Sequence, residues 1–196
     1  MEWKTKEKTV SWTFEKSSTV ILIFGDHLVR ELIGRILSGR DCESGECCIG
    51  NISSKNDTEQ YKKKIDYVIL ADIHSELLVR DYLNFYAMIS NKYTPEKEKE
   101  IQSLLRVFNK EGILFKKVDD LFPKDKFIVR CLVAYIKGIK LLIGNNVLSE
   151  LDNDSKRLAI EFINCIFTSH SSHCILLEEK WEGDIGIKLD VIKYDE

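Results

Sequence analysis

Thr19-Val-Ile-Leu-Ile-Phe-Gly-Asp-His-Leu-Val-Arg-Glu-Leu-Ile-Gly-Arg-Ile-Leu-Ser-Gly39 decides the fold class. Its first six residues form a continuous apolar run, the pattern of a strand covered on both faces in a parallel sheet. After Gly25, the residues Leu28, Leu32, Ile33, Ile36 and Leu37 recur at helical spacing, which predicts a helix with these side chains inward, closed by Gly39. A covered strand running straight into a helix is the repeating unit of an α/β domain.

Outward from this unit the alternation continues. Cys47 to Ile52, Tyr67 to Leu70, Ile139 to Ile143 and Cys174 to Leu177 read as strands. Val79 to Ile89 reads as a helix, and Thr94-Pro95-Glu96 as the start of another, with a capping hydroxyl, a proline at the first helical position and an acid for the dipole. That helix presents Ile101, Leu104, Leu105 and Phe108 to the core. Asp125 to Ile136 and Ser155 to Phe167 complete the helices. Upstream, Thr9 to Phe14 puts Val10, Trp12 and Phe14 on one face, a half-buried strand expected to form a small antiparallel β-element with 47–52. The alternation of Ile185, Ile187, Leu189 and Val191 predicts an antiparallel edge strand or hairpin. The expectation is one α/β domain over 1–196 with a mainly parallel sheet.

Composition narrows the function classes. With 196 residues and 44% hydrophobic content the chain has material for one sizeable core. A net charge of −3 excludes a nucleic-acid binder that relies on a broad basic face. Apolar runs such as Val20–Phe24 fall far short of the roughly 20 residues that cross a bilayer, and no apolar stretch follows Met1 as a signal peptide would require. A cytoplasmic location is expected. Among the six cysteines, Cys131, Cys165 and Cys174 sit in apolar patterns and read as buried thiols. Cys42, Cys47 and Cys48 lack regular metal-ligand spacing, and His170 and His173 read as solvated loop residues, so no metal site is expected.

Several segments together resemble the ATPase subunit of ABC transporters. The strand and helix of 19–39, followed by Ser44-Gly45-Glu46, are similar to that family's opening. Leu77-Leu-Val-Arg-Asp-Tyr-Leu-Asn-Phe-Tyr86 resembles its L-T-V-R-E-N-L stretch, and Leu141-Leu-Ile-Gly-Asn-Asn-Val-Leu-Ser-Glu-Leu-Asp152 its L-L-L-D-E-P-T-S-A-L-D segment. The matches run in order over roughly residues 9 to 180. They imply a P-loop-NTPase-like fold with a helical subdomain at about 72–136.

The nucleotide-handling residues implied by the resemblance are replaced. The phosphate loop G-x-x-G-x-G-K-S/T aligns with Gly25-Asp26-His27-Leu28-Val29-Arg30-Glu31, one residue short and with one glycine. Arg30 and Glu31 stand where the lysine and the magnesium-binding hydroxyl belong. Leu70 takes the place of the glutamine that senses magnesium and attacking water. Asn145 and Asn146 replace the Walker B aspartate and the catalytic glutamate, and loss of a general base costs about 10²–10⁴ in rate. Glu179 replaces the switch histidine. The L-S-G-G-Q signature aligns with Leu121-Phe122-Pro123-Lys124-Asp125. What persists is Ser149-Glu150-Leu151-Asp152, matching the D-loop that contacts a partner subunit in the family.

The resemblance therefore implies a catalytically inactive ABC-ATPase-like subunit without ATP or magnesium as cofactor, acting in a transporter complex and most at home in an ABC-2-type exporter. Its implied partners are a membrane permease subunit, met by the Ala71–Met88 region with Arg80 and Asp81 at its surface, and as a second candidate an intact ABC ATPase, met by Ser149, Glu150, Leu151 and Asp152. Membrane attachment would come through the permease, without insertion. Two alternatives stand beside this: a subunit with weak ATP binding and slow hydrolysis in an asymmetric transporter, with Gly25, Asp26, His27, Arg30 and Glu31 as its nucleotide contacts, and a free-standing regulator with a ligand near Arg30, His27 and His74.

Overall fold

All six residues of β1 (Thr19–Phe24) are buried, because their side chains alternate between two cores on opposite faces of one sheet. Ile21 and Ile23 enter the core built with the helices that follow β4, while Val20, Leu22 and Phe24 enter the core beneath the first helix. In this computed structural model the described residues are 19–41, 43–90, 94–149, 151–168, 172–181 and 190–194. The elements after β1 are α1 (His27–Leu37), β2 (Cys48–Ile49), β3 (Ile52–Ser53), α2 (Thr58–Lys62) and β4 (Ile65–Val68). Then come α3 (Val79–Ser90), α4 (Pro95–Val107), α5 (Pro123–Lys137), β5 (Leu141–Asn145), α6 (Asn153–Thr168), β6 (His173–Glu178) and β7 (Asp190–Tyr194).

The main sheet has the order β4-β5-β6-β1-β7, and every pairing in it is parallel. Helices flank it, and β2 and β3 form a separate antiparallel pair. The double covering explains the continuous apolar runs: Leu142 and Leu176 face one core, Leu141, Ile143, Ile175 and Leu177 the other. α5 fills the middle of the larger core, with Phe127, Ile128, Cys131, Leu132 and Ile136 wholly enclosed, and Gly138 at φ 65° closes it. Tyr61 on α2 is also wholly buried, and its hydroxyl donates to Leu37 O at 2.6 Å, tying α2 to the end of α1.

Several sequence expectations are corrected. The 47–52 stretch is not one strand: it folds on itself as β2 and β3 around Gly50, whose φ of 60° suits the tight turn. The 9–14 strand expected beside it lies outside the described residues. β4 starts earlier than the apolar run suggested, and Leu70 belongs to a 3₁₀ turn, Leu70–Asp72. β7 is parallel to β1, not antiparallel; most of the alternating 185–191 stretch lies outside the described residues. On α1 the buried positions are Arg30, Gly34 and Leu37, whereas Leu28 is 72% exposed. The helix is drawn in by its small and charged face because Gly34 lets it lie against Tyr67: a Cβ there would stand 2.8 Å from the Tyr67 hydroxyl. Cys165 is exposed, while Cys131 and Cys174 are buried free thiols.

Candidate functional site

Gly25 and Asp26 alone connect β1 to α1. Asp26 is the N-cap: its Oδ1 accepts from the Leu28 N–H at 2.7 Å and its backbone oxygen from the Arg30 N–H at 3.1 Å. The unpaired N–H groups of a helix start are what an anionic ligand uses, and here a carboxylate of the chain itself takes one of them, the Leu28 N–H. Positive φ among described residues falls at Gly39, Gly50, Asn109, Gly138 and Asn146, none of them in 25–31. The stretch thus builds no left-handed turn that would gather N–H groups into a concave nest. Gly25 is not held by crowding either, since nothing lies within 4 Å of a Cβ placed on it.

Arg30 sits on the buried face of α1 and is only 4% exposed. Its Nη1 lies 3.9 Å from Oε2 of Glu179, and both Nε and Nη1 are buried without a hydrogen-bond partner. Glu178, at the end of β6, is wholly buried. Its Oε1 accepts from the Leu148 N–H at 3.1 Å and its Oε2 has no partner. Burial pushes this carboxyl up to about 7, against the pull of the Leu148 and Val147 N–H groups and the Arg30 guanidinium. No direct ion pair joins Arg30 and Glu178.

Arg30 lines a cavity of about 580 Å³ at the carboxyl ends of β4 and β5, the edge where open α/β sheets receive ligands. α1 contributes His27, Arg30, Glu31 and Arg35, and Arg40 follows it. Tyr67 comes from β4, Ile69, Leu70 and Ala71 from the turn after it, and Asn145 and Asn146 from the end of β5. The Arg40 guanidinium lies 5.0 Å above the Tyr67 ring, and the Tyr67 hydroxyl accepts from Nδ2 of Asn145 at 2.8 Å. Burial pushes the Tyr67 hydroxyl up, opposed by Asn145 and Arg40. Asn146 takes φ 53°, which asparagine tolerates better than most residues. Oδ1 of Asn145 and Oδ1 of Asn146 are buried without partners. The cavity thus offers three guanidiniums and two amides, while its β5 end has no basic carboxylate.

Of the residues singled out in the sequence, His27, Arg30, Glu31, Leu70, Asn145 and Asn146 meet at this cavity, and Glu179 adjoins it through Arg30. His74 does not line it; it pairs with Asp119 at 3.3 Å. Arg80 and Asp81 are paired with each other at 3.3 Å on the exposed start of α3. Ser149 is exposed, Leu151 is buried, and the Asp152 carboxylate accepts from the Ser155 N–H and hydroxyl at the start of α6. Glu150 lies outside the described residues. In the signature-like stretch, Pro123 opens α5 and the buried Asp125 pairs with Lys110 at 2.8 Å. Sequence reasoning missed Arg35, Arg40, Tyr67 and Glu178. The one available signal for Arg40 is Gly39, whose φ of 67° turns the chain at the end of α1.

No family model matches the chain, and no curated protein matches it by sequence. Solved structures match it by shape. A putative ABC transporter ATP-binding protein from Pyrococcus furiosus aligns over 94% of this chain and 88% of its own, with TM-score 0.72 and 17% identity. The cbiO1 protein of Clostridium perfringens, part of the ABC transporter complex cbiONQ, aligns over 87% and 70% with TM-score 0.71 and 17% identity. A bacterial ABC transporter cassette solved as a dimer aligns over 91% and 84% with TM-score 0.65 and 15% identity. The fold of this chain is that of ABC transporter ATP-binding subunits. Among the described residues no helix is long and apolar enough to cross a membrane.

Proposed function

We propose that this chain is a non-hydrolysing ABC-ATPase-like subunit that works by docking within a transporter assembly, in an exporter context. The observation that carries the reading is the start of α1. Asp26 occupies the helix N-terminus with its own carboxylate, and Arg30, in the lysine position, is buried with a glutamate beside it. A triphosphate brought there would meet the Asp26 and Glu31 carboxylates instead of free N–H groups and a hydroxyl. Asn145 and Asn146 supply no base for water, and Leu70 supplies no metal ligand. The residues present do not fit magnesium-ATP.

Docking has its own support. On α3 the apolar side chains Phe85, Met88 and Ile89 point outward, Met88 being 81% exposed, with Leu77 just before the helix and Phe115 also exposed. Such a patch on the helical region suits a permease subunit, and the similarity to a protein from the cbiONQ complex is consistent with that role. The decisive experiment is an ATPase assay on purified protein with and without magnesium. Turnover at background is expected, and unchanged in Arg30→Lys, because Asp26 still caps the helix. Magnesium-dependent turnover would instead establish the slow-ATPase alternative.

A further inference from the structure

We infer that the cavity beside Arg30 binds a phosphate monoester with a small uncharged organic body, without magnesium. The inference rests on the non-nucleotide reading above and gives that site a ligand. Arg30 is a guanidinium enclosed by protein, yet Nε and Nη1 make no hydrogen bond, and Nη1 has only the Glu179 carboxylate at 3.9 Å. An unpaired buried donor of this kind costs free energy, and an oxyanion is the ligand that removes the cost, since guanidinium edges match oxyanions in fork geometry.

Counting oxygens favours phosphate over carboxylate. The paired Nε–Nη edge of Arg30 uses both oxygens of a carboxylate, leaving Arg40 unanswered. A tetrahedral phosphate presents three terminal oxygens, enough for Arg30 and for Arg40 on its Tyr67 ledge. The charge balance limits the ligand from above. Asp41 stands 3.7 Å from Arg35, Glu179 stands 3.9 Å from Arg30, and Glu31 faces the same cavity. Three guanidiniums stand against three carboxylates, and displacing Glu179 leaves one net positive charge, so the charge of a monoester is nearer to balance there than that of an unshielded triphosphate. The remaining wall, Ile69 to Ala71, suits an uncharged body, and about 580 Å³ leaves room for one.

Glu179, whose side chain is 58% exposed, is the group that the ligand displaces from Arg30. Binding is then an exchange of one anion for another, so removing the internal competitor strengthens it.

The test is calorimetry on the full chain with glycerol 3-phosphate, inorganic phosphate and ATP, each in EDTA and in magnesium. Glycerol 3-phosphate is expected to bind equally well in both and at least several-fold more tightly than inorganic phosphate. Arg40→Gln, at an exposed position that spares folding, is expected to weaken it by about tenfold, and Arg30→Met by more. Glu179→Gln is expected to tighten it. Absence of binding at millimolar ester overturns the inference and leaves the non-hydrolysing reading standing. Equal binding by both arginine variants, or inorganic phosphate binding as tightly as the ester, also overturns it. Tight magnesium-dependent ATP binding with turnover removes both readings together.

Discussion

Glu178 rests one carboxyl oxygen on the Leu148 N–H and leaves the other unpaired in a closed interior. Because burial raises its pKa from 4.5 to about 7, the folded chain holds this proton more tightly than the unfolded chain does. Its contribution is therefore present at low pH and lost as pH rises between those two values. The charge of Arg30 pulls the Glu178 carboxyl down against its burial, and the charge of Glu178 adds to the burial that pushes the Cys174 thiol up. Glu178→Gln keeps an acceptor for Leu148 and removes the titration. Relative to that variant, the natural chain is expected to lose about 3 kcal/mol of stability between pH 4.5 and pH 8. Urea unfolding at the two pH values checks this, and a pH-independent difference between the proteins would contradict it. Nothing in the local sequence marks Glu178 for this role, since Glu178-Glu179 reads as a charged strand end. Only the enclosure by the turn after β5 separates the two carboxyls, one wholly buried and one exposed.

At the level of elements, β5 shows how packing limits the sequence. Gly144 sits in mid-sheet, where a Cβ would stand 2.9 Å from both Leu176 and Val147, each wholly enclosed. Neighbouring strands fix the register on both sides, so the clash has no easy outlet. Gly144→Ala is expected to destabilise the fold by about 1–3 kcal/mol, read as a lower urea midpoint. The helix α4 was legible because cap, proline and apolar period agree in it, and Thr94 does cap it. The helix α5 was legible from its apolar period, and it starts two residues earlier, at Pro123, behind Phe122, which makes no side-chain cap bond. α1 was legible as a helix but not in its orientation. Its apolar residues Leu28, Val29 and Leu32 face outward, and the inward face is chosen by a glycine against a tyrosine that lies 33 positions downstream of Gly34 in the chain. Periodicity reports which residues are apolar and is silent on such close approaches. The cavity was half legible for the same reason: a resemblance located Arg30, Asn145 and Asn146, whereas Tyr67 and Arg40 join them only through tertiary packing.

For the whole molecule, the proposed role makes assembly independent of nucleotide. Co-purification from the native host with and without ATP depletion is expected to recover the same permease partner under both conditions. Recovery only with ATP, or of the isolated chain in both, would contradict docking as the role. Reversing charge at the exposed Arg80 and Asp81 is expected to weaken that capture. The sheet order also has a consequence for the chain while it is being made. β1 leaves the ribosome first of the described strands, yet both of its pairing partners, β6 and β7, are the most distant from it in sequence. Throughout most of translation a six-residue apolar segment has no strand to lie against, a known route to premature association. A nascent chain therefore carries β1 without its sheet partners until β6 and β7 have emerged, and its tendency to associate ends when they close over it.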